Sequence, residues 1–216
     1  VMAVGIFMVL PYFLTNFLRD YVVSNTLLAI IEGVVRVGIF VLYVFLISRM
    51  NDIQRVFMYH GAEHKSIACF EAGGDLTPEN AKNYKRFHPR CGTSFMFVMI
   101  LIGIIVGMFI PQWGDMYWLR VLIKIAILPL IMGVGYEFIM FAGKHDNFLT
   151  RIMSAPGLWM QRITTKEPDE KQLAIAICAI KASMPEEFPD FDASEYAIDV
   201  EENTDHIAFT GLKKAE

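Results

Sequence analysis

Four stretches of the chain are almost unbroken apolar sequence: Val1 to Leu18, Leu27 to Ser48, Phe95 to Ile110 and Trp118 to Met140. Each is close to the roughly 20 helical residues that cross the hydrocarbon core of a bilayer. They are apolar on every face rather than along one stripe, so a water-soluble bundle built from them would leave nothing for solvent to wet. The pattern predicts an all-α integral membrane protein with about four transmembrane helices. The first stretch is like the apolar region of a signal peptide, but no basic segment precedes it and no small-residue cleavage pattern follows. It therefore reads as a span.

Polar sequence gathers between the second and third spans. Asn51 to Ala72 holds few helix breakers and ends at Gly73-Gly74, which suits the left-handed turn after a helix. Thr77 and Pro78 then supply a cap and a first helical residue, predicting a short basic helix from Pro78 to Phe87. His88-Pro89-Arg90-Cys91-Gly92-Thr93-Ser94 stops that helix and forms an irregular link at the membrane surface, with Thr93 or Ser94 to cap the third span. Beyond the fourth span, Ser154 to Met160 mixes a turn signal with a Trp-bearing amphipathic stretch that suits the interface. Asp169 to Ala182 reads as a helix whose Leu173, Ile177 and Ile180 share one face, fit to dock on the loop helix or on another protein. The expected organisation is therefore spans one and two in 1–48, a helical loop in 49–94, spans three and four in 95–140, interfacial and C-terminal helices in 141–183, and an acidic tail without regular structure in 184–216.

Composition sharpens this picture mainly through charge. Residues are 55% hydrophobic and the net charge is −4, but nine acidic residues fall between Glu186 and Asp205 with no Lys or Arg among them. Arg49, Arg55, Lys65, Lys82, Lys85, Arg86 and Arg90 lie between spans two and three, and Lys144, Arg151, Arg162, Lys166 and Lys171 follow span four. Basic loops stay cytoplasmic, so the central loop and the C-terminal segment are expected on that side and can build one site. Lys82, Lys85 and Arg86 suit anionic headgroups, and no nucleic-acid partner is expected. The expected surroundings are a lipid bilayer and a membrane or cytoplasmic protein partner. Three scattered cysteines, Cys69, Cys91 and Cys178, fit a reducing compartment or a metal ligand better than a disulfide framework. Within the spans, Glu32 and Arg36 stand one turn apart and can neutralise each other, whereas Glu137 has no basic neighbour within a turn. Pro129, Gly133 and Gly135 would kink or thin span four.

The chemistry-bearing stretch is Tyr59-His60-Gly61-Ala62-Glu63-His64-Lys65. On a helix, His60 and His64 lie one turn apart on one face with Glu63 beside them, in the H-x-x-E-H order of the inverted zinc-protease motif. Two imidazoles so placed can chelate Zn²⁺, and a carboxylate outside the ligand set can take a proton from water polarised there. Histidines bonded within an interface are the alternative. A third ligand would come from Cys91, His88, Glu71 or Glu137. Cys91 is favoured, because Arg90 and the start of a helix beside it stabilise a thiolate, and His88 comes next. Three ligands and an open position give a cytoplasm-facing metallohydrolase, peptidase-like or acting on a lipid-linked substrate. Four ligands, such as His60, His64, His88 and Cys91, give a closed structural site and a non-catalytic scaffold or adaptor. A small transporter using Glu32, Arg36 and Glu137 ranks last, because those charges make no continuous path.

The same blocks resemble a bacterial family of polytopic membrane proteins, the YqhQ-like family, labelled predicted metal-dependent enzymes. The resemblance runs through Arg55 to Lys65, Glu71-Ala72-Gly73, His88 to Phe95, Tyr136-Glu137 and Ser154 to Arg162. It implies a multi-pass protein of the bacterial inner membrane. The family carries a Gly-rich segment before its first span; this chain opens at Val1 without it, so further residues are expected to precede it.

Overall fold

The computed structural model describes residues 2–22, 24–110, 117–145, 147–192, 196–203 and 206–214. In chain order the elements are α1 (Met2–Val4), a π-turn (Gly5–Val9), α2 (Leu10–Asn16), α3 (Asn25–Ile47), α4 (Asn51–Glu71), α5 (Pro78–Ala81), α6 (Gly92–Phe109), α7 (Tyr117–Lys144), α8 (Phe148–Thr164) and α9 (Glu170–Ser183), then β1 (Tyr196–Asn203) and β2 (His206–Lys214). They fall into two compact units, Val1–Ile47 with Pro89–Gln161 and Ser48–His88 with Arg162–Glu216.

The first unit holds the apolar helices. Three stretches, Asn25–Ile47, Gly92–Phe109 and Trp118–Lys144, are long and apolar enough to cross a membrane. The Gly5–Asn16 stretch is apolar but shorter than a span. Large apolar side chains such as Val34, Leu42, Ile105, Leu122 and Leu130 face outward, the inverse of a water-soluble surface and the expected one for helices solvated by lipid. Inside, α3 packs on α6 and α6 on α7. A Cβ at Gly33 would lie 2.4 Å from Ile104, and one at Gly135 would lie 3.2 Å from Phe95. Small residues thus bring the helices together, as membrane packing favours. Gly135 thins α7 as expected, and Pro129 sits inside a helix that continues past it.

Two expectations change here. The turn read at Ser154-Ala155-Pro156-Gly157 is instead the middle of α8, with Pro156 inside the helix. Tertiary packing overrides the local signal: a Cβ at Gly157 would come within 2.7 Å of Ser94, and the buried Gln161 amide donates to Ser94 Oγ at 2.9 Å. The cap of α6 is neither Thr93 nor Ser94 but Cys91, whose Sγ accepts from the Thr93 amide at 3.4 Å.

The second unit is built around α4. Its C-terminus closes as Gly73 and Gly74 suggest: Gly73 takes φ +70°, Gly73 N donates to Phe70 O at 2.9 Å, and Gly74 N to Cys69 O at 3.0 Å. That paired closure satisfies carbonyls a helix end would otherwise orphan. Helix α9 starts with a reciprocal cap in which Asp169 Oδ1 accepts from Gln172 N at 2.7 Å and Gln172 Oε1 from Asp169 N at 3.0 Å. It docks on α4 through a core of Ala62, Cys69, Ala81, Leu173 and Ile177. Helix α5 is capped by Thr77 as expected but ends at Ala81, well short of Phe87. Lys65 Nζ takes the Lys82 carbonyl at 2.9 Å and His64 Nδ1 the Arg86 carbonyl at 2.5 Å, so the backbone there bonds to α4 rather than to its own next turn. The tail, expected without regular structure, carries the antiparallel hairpin β1–β2 with an irregularity at Asp199/Val200. Its acidic residues alternate with Ile198 and Val200, a two-residue period that a count of charge overlooks.

Candidate functional site

Helix α4 presents His60 and His64 one turn apart, and their ring centroids lie 4.4 Å from each other. His60 Nδ1 is 2.8 Å from the Thr164 carbonyl oxygen, and His64 Nδ1 is 2.5 Å from that of Arg86. A carbonyl can only accept, so each ring donates its Nδ1–H, and in the neutral imidazole Nε2 is then the nitrogen with a lone pair. This is how metal-ligating histidines are oriented from their outer side. His64 is buried and His60 half-buried.

The surroundings hold the pair in place. Lys65 is buried and bonds Glu167 at 2.8 Å as well as the Lys82 carbonyl. Lys166 N donates to Phe57 O at 2.8 Å, and a Cβ at Gly61 would fall 2.0 Å from Lys166 O. Glycine is the residue that lets the 164–167 segment lie against α4 at the level of the histidines. Next along, the His88 ring centroid is 5.8 Å from that of His64, and His88 Nε2 meets Glu71 Oε2 at 3.3 Å. Two of the four candidate third ligands are therefore engaged with one another.

Glu63 is exposed and lines a groove of about 610 Å³ between α4 and α9, with Tyr59, Ile67 and Phe70 on one wall and Ile175 and Ala179 on the other. Cys91 belongs to the first unit, where it is buried at the start of α6 with its Sγ 3.2 Å from Thr93 Oγ1. Arg90 lies over Gly143, and Glu137 is exposed on α7.

A second polar cluster went largely unread in the sequence. The Glu32–Arg36 pair is present at 2.7 Å, but Glu32 also pairs with Lys124 and, at 3.5 Å, with Arg120, both from α7. Lys124 stands inside an apolar run, where a charge costs roughly 2.5–3.5 kcal/mol on insertion scales. That cost was the available signal. The partner, some ninety residues away, was not visible from local spacing.

Over residues 1–186 the chain matches the model of a family described as protein of unknown function (DUF1385). The chain belongs to this family. It is also 37% identical over 173 residues to the protein named Uncharacterized protein YqhQ of Bacillus subtilis (strain 168), which covers 80% of this chain and 54% of that relative. The chain thus spans about half the length of the curated relative it matches. No solved structure matches it. Both likenesses agree with the family suggested by the motif blocks, and neither description names a metal or an activity.

Proposed function

We propose that this chain belongs to a bacterial inner-membrane protein with a metal centre on its cytoplasmic side, used for hydrolysis in the manner of a peptidase. The observation that supports it best is the pair of Nδ1–H donations to backbone carbonyls, which readies two adjacent Nε2 atoms as ligands. His60 and His64 would hold the ion with Cys91 as third ligand, two imidazole nitrogens and a thiolate being donors that Zn²⁺ accepts. Cys91 follows His88 by three residues in the chain, a separation that spans at most about 11 Å. His88, held on Glu71, would serve as an outer neighbour or an alternative ligand. Bound Zn²⁺ would supply a Lewis acid. Glu63, next to His64 in the chain, would accept the proton of the attacking water, and a peptide or a lipid-linked ester would be the substrate. The cytoplasmic orientation rests on the Lys and Arg residues of 49–94 and of the segment after α7.

Glu63→Gln tests the catalytic part. It is expected to keep the metal and to lower turnover of peptides offered to proteoliposomes by about 10²–10⁴, the usual contribution of a general base. Equal turnover in the two proteins would end the hydrolase reading.

The groove beside Glu63 favours a second reading, a scaffold in which the histidines only brace α4. Its walls of Ile67, Phe70, Ile175 and Ala179 would take the apolar face of a partner helix. Under that reading a photo-crosslinker at Ala179 gives one defined protein adduct in cells, and Glu63→Gln changes nothing in vivo.

A further inference from the structure

Among the described residues, the charges around Glu32 in the first unit do not balance. Glu32 is 3% exposed, and three cations surround its single carboxylate: Arg36 at 2.7 Å, Arg120 at 3.5 Å and Lys124. The 3.5 Å approach of Arg120 lacks hydrogen-bond geometry. Its Nε and Nη2, and Nε of Arg36, are buried without a hydrogen-bond partner. The Arg120 guanidinium carbon lies 5.8 Å from the Tyr12 ring centroid, a cation–π approach. Two uncompensated positive charges among apolar helices are costly, and removing the cost calls for a further anion.

Beside two of these cations lies a cavity of about 270 Å³. Arg36 and Lys124 form its polar end; Phe7, Phe40, Met99 and Ile131 are among its apolar walls. A small inorganic anion would satisfy the cations and leave the walls bare, whereas an apolar molecule would fill the walls and leave the cations unpaired. An anionic headgroup on an acyl chain meets both needs, and the outward apolar faces of α3, α6 and α7 place these helices in the medium that supplies such molecules. We propose that this cavity binds one anionic phospholipid of the surrounding bilayer, its phosphate on Arg36 and Lys124 and an acyl chain along the apolar wall. The site is independent of the histidine cluster and stands whether or not that cluster binds a metal.

The test is native mass spectrometry of the chain released from nanodiscs of equal parts phosphatidylglycerol and phosphatidylcholine. The wild type is expected to retain one phosphatidylglycerol over phosphatidylcholine by about tenfold, the scale of one charge-assisted hydrogen bond. Arg36→Gln with Lys124→Gln should erase that preference. Gly103→Leu projects into the cavity from a position where a Cβ meets nothing within 4 Å, leaves every charge in place, and should lower lipid retention; it decides the matter if the charge variant does not fold. Equal retention of the two lipids by the wild type would overturn the proposal, as would an unchanged preference in folded variants. Displacement of the lipid by millimolar inorganic phosphate would assign the cations to a free anion and overturn it too.

Discussion

At the scale of single residues, Gly61 carries the closest approach among the described glycines of the second unit. An Ala there would set a Cβ 2.0 Å from the Lys166 carbonyl oxygen, which is backbone and cannot swing aside. Gly61→Ala is expected to cost about 1–3 kcal/mol, as overpacking does, measured by denaturant unfolding in detergent. Wild-type stability would show that the 164–167 segment does not lie on α4. Burial holds the Cys69 thiol above its ordinary value of 9.0, with Asp75 adding to the rise and a hydrogen bond with Tyr84 opposing it. The neutral thiol is thus favoured by folding. Its contribution is complete below pH 9 and is lost as the pH climbs through the folded value, so wild-type stability should fall above pH 9 more steeply than that of Cys69→Ala. Maleimide should leave Cys69 unlabelled at pH 8 until the chain is unfolded. His60, His64 and Glu63 were legible as residues because a helical period places them. Their outer partners were not, since Thr164 and Arg86 act through backbone carbonyls that no side-chain pattern announces.

At the scale of elements, what could be read was what local chemistry decides. Gly73-Gly74 ended α4, Thr77-Pro78 opened α5 and Asp169 opened α9, each by a short-range hydrogen bond. What could not be read depended on distant chain: α5 stops early because α4 side chains claim its following carbonyls, and α8 runs through Pro156 because Gly157 and Gln161 pack on Ser94. The capping box of α9 gives a check on this division. Asp169→Ala removes the acceptor for Gln172 N and is expected to cost about 0.5–2 kcal/mol, seen as faster amide exchange across 170–183 with α4 unaffected. Uniform loss of protection in both helices would mean that α9 and α4 open together.

At the scale of the whole molecule, apolar length alone was enough to give helices able to span a membrane, whereas the pairing of Glu32 with two cations of α7 needed the tertiary structure. Sidedness is a matter of loop charge. With the 49–94 loop cytoplasmic, a cysteine at Lys85 should escape a membrane-impermeant maleimide in intact cells and react after permeabilisation; labelling of intact cells would reverse the orientation. The most direct test of the metal centre is elemental mass spectrometry of the detergent-purified chain, wild type against His60→Ala with His64→Ala. The expected result is about one zinc per wild-type chain and none in the double variant, with folding verified by circular dichroism. No metal in the wild type after zinc reloading, or equal zinc in both proteins, would contradict it and leave the paired histidines as structural braces.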